Sequence, residues 1–180
     1  MKSIIKTVCL SLLLALALVS CKDEASIQNY FVAHQDLPDF KQIDLAANLV
    51  DLSDTELTEA QQETVKSFKK INFIGYKIND GDMVAYKVEL EKAKQIFKNK
   101  KYSELMEFSS DGMKFRINTL GDDDTVDEIL VLLSSKGTGF GIARVLGDDM
   151  NPEKMVELFN TIQSADVDNN QIKDLMSFFK

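Results

Sequence analysis

The stretch SDGMKFRINTL, Ser110 to Leu120, decides the fold. Its Asp111-Gly112 step supplies the positive φ angles that a tight β-hairpin needs. The residues that follow alternate, with Met113, Phe115 and Ile117 on one side and Lys114, Arg116 and Asn118 on the other. A period of two with one polar side is the pattern of a strand with one face toward water. Outward from this hairpin, residues 102–108 read as the strand before the turn, and residues 126–134 and 140–146 as two further strands. Gly137, Gly139 and Gly141 fall between the last two. They resemble a phosphate-binding run, but they join a strand to a strand instead of opening a helix, so they read as hairpin glycines.

On the N-terminal side, residues 71–78 read as a strand with Ile71 and Phe73 on one face and Ile74, Tyr76 and Ile78 on the other. Apolar residues on both faces place it inside a sheet. Asp80, Gly81 and Asp82 end it and offer a helix cap, after which Met83, Tyr86, Leu90, Ala93 and Phe97 recur at helical spacing. Ser53 and Glu56 form a capping-box pattern ahead of a helix to about Lys69, with Leu57, Ala60, Thr64 and Phe68 as its stripe. Beyond the strands, Asn151 caps and Pro152 begins a helix whose apolar face is Met155, Leu158, Phe159 and Ile162. The expected fold is α+β: a mainly antiparallel sheet of about five strands with helices packed on one face. Ile172, Leu175, Met176 and Phe179 make a last short amphipathic piece. It would dock on the domain's own core or serve as a partner-binding tail.

The N-terminus carries a different kind of signal. An apolar run follows Lys2 and Lys6 and closes on Leu18, Val19, Ser20 and Cys21, the pattern of a bacterial lipobox. Lipid transfer needs a thiol at Cys21, and the peptidase that follows needs a small residue at Ser20, because it cuts between the two. The run is shorter than the ~20 apolar residues needed to span a bilayer. The expected organisation is therefore a removed signal peptide over residues 1–20, a lipidated Cys21 and polar tether over residues 21–38, one domain over residues 39–162, and a tail over residues 163–180. Each buried methylene of an acyl chain contributes roughly 0.8 kcal/mol, so a multiply acylated Cys21 would hold the chain to the membrane.

Loss of Lys2 and Lys6 with the signal peptide moves the formal charge from −8 to −10. That balance disfavours nucleic acid and anionic headgroups as partners. Cys9 leaves with the signal peptide and Cys21 carries lipid, so the mature chain has no thiol for a disulfide. The single histidine, His34, lies in a polar segment close to the anchor, so neither a histidine-based triad nor a multi-histidine zinc site is expected. No cofactor is expected. The acidic run Asp122, Asp123, Asp124 and Asp127, with Glu128 behind it, is the densest set of oxygen ligands. A hairpin of the last two strands would bring Asp148 and Asp149 to the same sheet end, where converging oxygens suit Ca²⁺. The competing reading is a solvated Asp-rich turn, and no metal is assigned. Asp166, Asp168 and Asn170 open like an EF-hand loop, but Gln171 stands where its glycine turn belongs. Arg116 and Arg144, the two arginines, fall on strands, where solvent-facing pairs with acids are expected.

The layout of Tyr102, Leu105, Met106, Asp111-Gly112, Phe115 to Asn118, Glu128-Ile129-Leu130-Val131-Leu132, Gly147 and the closing helix is similar to a known group. It resembles an uncharacterised family of short Bacteroidota envelope lipoproteins, catalogued as a domain of unknown function, over residues 40–162. The resemblance implies a small α+β domain behind a signal peptide and transfers no catalytic residue. It also implies that Lys22, Asp23 and Glu24, a lysine and two acids after the lipid cysteine, act as a surface-export signal, favouring surface exposure over a periplasm-facing position. The functional expectation is a non-enzymatic binding or assembly module anchored at the outer membrane, with an envelope protein or glycan as partner. The alternatives are a carboxylate-dependent hydrolase or carbohydrate-active enzyme, and an envelope-stress sensor or regulator.

Overall fold

The hairpin at Ser110 forms as its sequence requires: Ser110 pairs with Met113, and Gly112 takes φ +77°. A computed structural model describes residues 25–46, 57–110, 112–122, 124–164 and 178. Its strands are β1 (Phe40–Ala46), β2 (Phe68–Lys77), β3 (Ser103–Ser110), β4 (Met113–Gly121), β5 (Val126–Ser135) and β6 (Gly139–Met150). They form one sheet in the order β1-β2-β6-β5-β4-β3, with every neighbouring pair antiparallel. The sheet therefore has six strands, not about five. The additional one, β1, lies at an edge, and Leu45 is its one buried residue, so its sequence FKQIDLA carries little apolar alternation.

The helices are α1 (Ile27–His34), α2 (Glu59–Lys66), α3 (Met83–Phe97) and α4 (Pro152–Ser164). Asp82 caps α3 by accepting from the N–H groups of Val84 and Ala85, and Asn151 Oδ1 accepts from Lys154 N–H at the start of α4. The cap of α2 is Thr58 in a capping box with Gln61, while Ser53 and Glu56 lie outside the described residues. The helix ends at Lys66 because the chain enters β2 at Phe68, a residue expected on the helical stripe.

The helices lie on both faces of the sheet, which overturns the one-face expectation. On the inner face, α3 and α1 cover Ile74, Tyr76, Leu130, Leu132, Phe140 and Ile142 with Tyr86, Leu90, Ala93, Ile96, Phe97, Ile27, Tyr30 and Phe31. On the outer face, Met155 of α4 packs with Val126, Ile129, Val145, Met150 and Phe68. α2 joins that layer through α4, where Gln61 Nε2 donates to Thr161 Oγ1 at 2.8 Å. The strand residues of the two clusters alternate, Leu130 inward and Ile129 outward, so both faces of the central strands are dry.

The expectation of a polar tether over residues 21–38 fails for residues 27–34. Ile27, Tyr30, Phe31 and His34 are buried, so residues 27–34 belong to the folded body. The signal was an i, i+3, i+4, i+7 stripe hidden in an otherwise polar segment. At the β5–β6 hairpin, Gly139 takes φ +143°, and a Cβ there would lie 1.9 Å from the Tyr76 carbonyl oxygen. That contact explains one of the clustered glycines without invoking a ligand.

Candidate functional site, a buried polar band and an open sheet edge

Antiparallel register places Asp44, Asn72, Arg144, Leu130, Asn118 and Glu104 in one row across all six strands, on the inner face. Glu128, two residues before Leu130, points to the same side. These residues extend the inner face beyond its apolar half. Asn72 Nδ2 donates to Asp44 Oδ1, and Asn118 Nδ2 donates to the Phe97 carbonyl at 3.1 Å, which ties the end of α3 to β4. Asn118 is 2% exposed, so the polar side of β4 sees water only toward Lys114. The expectation that this whole side faces solvent fails because α3 ends over it.

The centre of the band is Glu128, buried at 4% exposure. Arg144 grips it with two donors, Nε to Oε1 at 2.9 Å and Nη2 to Oε2 at 3.0 Å, and Tyr102 Oη donates to Oε1 at 2.6 Å. The Lys101 ammonium lies 4.6 Å from the centre of the Tyr102 ring. Burial pulls the Glu128 carboxyl upward, but the hydrogen bonds from Arg144 and Tyr102 and the Arg144 charge outweigh it and hold it below the ordinary range. The Tyr102 phenol is raised by burial, then by its hydrogen bond to Glu128 and by that charge. The chemistry is fixed: a carboxylate with both oxygens engaged, a guanidinium bound to it, and a phenol that keeps its proton. It is an internal clamp in which both carboxylate oxygens are held by donors of the same fold.

This placement corrects the reading of Arg144, which is mostly buried against Glu128 instead of facing solvent. Arg116 does lie at the surface as expected, paired with Glu107 by Nε at 2.7 Å, while Lys114 approaches the other Glu107 oxygen at 2.6 Å. His34 is likewise turned inward. Its Nδ1 lies 2.7 Å from the Tyr30 carbonyl, its Nε2 lies 3.2 Å from Glu89, and its ring packs between Tyr30 and Phe40.

The acidic run has the predicted placement but a different company. Val126 pairs with Met150, so both ends of the β5–β6 hairpin meet at one sheet end. Asp122, Asp124, Asp127, Asp148 and Asp149 are exposed there, and Asp123 lies outside the described residues. Asp148 is ion-paired with Lys69, and its N–H donates to the Ser67 carbonyl at 3.0 Å. Among the described residues no group of three or more ligating side chains is placed to hold a metal ion.

The outer face offers a contrasting surface at the β3–β4 edge. Phe108 of edge strand β3 is 42% exposed. The Phe108 ring stacks on Phe115 at 4.7 Å with a 3° interplanar angle. Sequence reading placed Phe115 on an apolar strand face; it missed that β3 is an edge strand, which leaves Phe108 uncovered.

Leu18, Val19, Ser20, Cys21, Lys22, Asp23 and Glu24 lie outside the described residues, as do Ile172, Leu175, Met176 and Phe179. No helix among the described residues is long and apolar enough to cross a membrane. No curated protein and no solved structure matches the chain. A family match spans residues 30–158; it starts within α1 and ends within α4, consistent with α1 being part of the domain. The chain belongs to that family, a domain of unknown function named DUF4252.

Proposed function

We propose that this chain is a non-enzymatic binding or assembly module, held at the outer membrane by lipid on Cys21 and presenting its β3–β4 edge to an envelope protein or glycan. The observation that carries the binding reading is the exposed aromatic edge: Phe108 stacked on Phe115, on the strand that ends the sheet among the described residues. The chemistry of the carboxylates supports it. Among the described residues the carboxylates that shift, Glu91, Glu107 and Glu128, all move down, each held by a lysine or arginine, so none of these is tuned as a general acid. The lipobox and the Lys22-Asp23-Glu24 signal support the anchor and a surface-facing position.

The test is site-specific photo-crosslinking in intact envelopes. A photoreactive phenylalanine at position 108 should give a discrete adduct that the same group at Lys87, on the exposed side of α3, does not give. Equal labelling at both positions, or none at 108, refutes the edge as the binding surface. Cys21→Ser should abolish lipid labelling and release the chain from membranes, and continued acylation refutes the anchor.

A further inference from the structure

The outer-face row that starts at Phe108 continues across the sheet as Phe115, Leu133, Gly141, Gly75 and Lys41, each the direct partner of the one before. Its aromatic and aliphatic members are exposed to half-buried, and then two adjacent strands both carry glycine. Paired glycines in strand interiors leave a notch where another group can approach the backbone. Phe178 fills it. The ring is buried at 8% exposure, packs edge-on to Phe73 at 5.4 Å, and sits so close over Gly75 that a Cβ there would lie 2.4 Å from its Cζ. A cleft of about 290 Å³, lined by Phe40, Lys41, Lys77 and Asn79 among others, has Phe178 as one wall. Among the described residues, the side chain that closes the notch is thus that of Phe178.

We infer that the Gly75–Gly141 notch is a receptor for one aromatic side chain, occupied in cis by Phe178, and that an aromatic residue of a bound peptide competes for the same place. The apolar row leads to the notch from the open β3–β4 edge, so the inference deepens the binding reading and rests on it for the partner. The notch itself is testable without one. Three forms of the full chain are compared: wild type, Phe178→Ala, and Gly75→Ala with Phe178→Ala. The probe is N-acetyl-phenylalaninamide, and the readout is the thermal midpoint as the probe is raised. A ligand that binds only the folded state moves that midpoint upward. The midpoint should rise for Phe178→Ala alone, because wild type has the notch filled by its own ring and the double variant has it filled by a methyl group. No rise in Phe178→Ala, or an equal rise in all three, overturns the inference.

Gly75→Ala alone covers the case in which Phe178→Ala does not fold. The three atoms nearest the new methyl all lie at the far end of the Phe178 ring, so the ring should leave while the sheet persists. The Phe178 ring-proton shifts in NMR should then move to those of an exposed phenylalanine, and unchanged shifts contradict the notch. Failure of crosslinking at position 108 with a positive probe result would remove the partner surface and leave the notch standing; the converse would remove the notch alone.

Discussion

Arg144 and Arg116 lie on neighbouring regions of the same sheet face, each on a strand and each gripping a glutamate, yet they do different work. Arg144 and Glu128 are sealed under the inner face, at 16% and 5% side-chain exposure; Arg116 and Glu107 lie toward the β3 edge, at 26% and 27%, where water reaches both. A buried pair is not automatically stabilising, because desolvation of two charges offsets their attraction. What it does is make each partner indispensable to the other. The surface pair carries no such obligation, since water can replace either member. One pair is locked inside the sheet, and the other lies at its edge, on the face opposite Phe108.

The largest expected effect follows from breaking the inner pair on one side. Glu128→Ala strands the Arg144 charge in the band and should cost about 3–5 kcal/mol in urea unfolding. Replacing both, Glu128→Leu with Arg144→Met, removes the stranded charge and should recover most of that loss. A double variant as unstable as the single one would mean that the band needs its charges for more than mutual neutralisation.

The next effect sharpens the role of Tyr102. Tyr102→Phe deletes a hydrogen bond to a charged acceptor while Arg144 still engages both Glu128 oxygens, so the loss should be smaller, about 1.5–3 kcal/mol. Acidification probes the same group. The folded-state pKa of Glu128 lies below its unfolded value of about 4.3, so its stabilisation is complete above that pH and is lost as pH falls through the lower, folded value. The Glu128→Leu, Arg144→Met variant should therefore show a flatter acid limb in a stability-against-pH curve than wild type. The smallest effect belongs to the edge: Glu107→Gln should change stability by less than about 1 kcal/mol, with the difference shrinking in high salt.

Much of this division was readable in the sequence, though not its depth. The β4 alternation, the Asp111-Gly112 turn, the α3 stripe from Met83 to Phe97 and the Asn151-Pro152 start of α4 are local signals, and each corresponds to an observed element. What was not readable depends on contacts far apart in the chain. Glu128 sits in a run of acids, and only the register of β5 against β6 turns it toward Arg144 while Asp127 points to water. The same holds for His34, which sits in a polar segment but packs against Phe40 and Glu89. β1 escaped notice because an edge strand with one buried residue carries almost no hydrophobic pattern. The exposure of Phe108 follows from the strand order, which no local pattern states.

The proposed division gives the fold to the inner band and the binding to the outer edge. The direct test is capture of the crosslinked envelope component by lipidated wild type, Phe108→Asp and Tyr102→Phe, each first checked for folding by its unfolding midpoint. On the proposed division, Phe108→Asp keeps a near-normal midpoint and loses capture, whereas Tyr102→Phe unfolds earlier and still captures. Retained capture by Phe108→Asp together with loss by Tyr102→Phe would contradict it and move the functional site to the buried band.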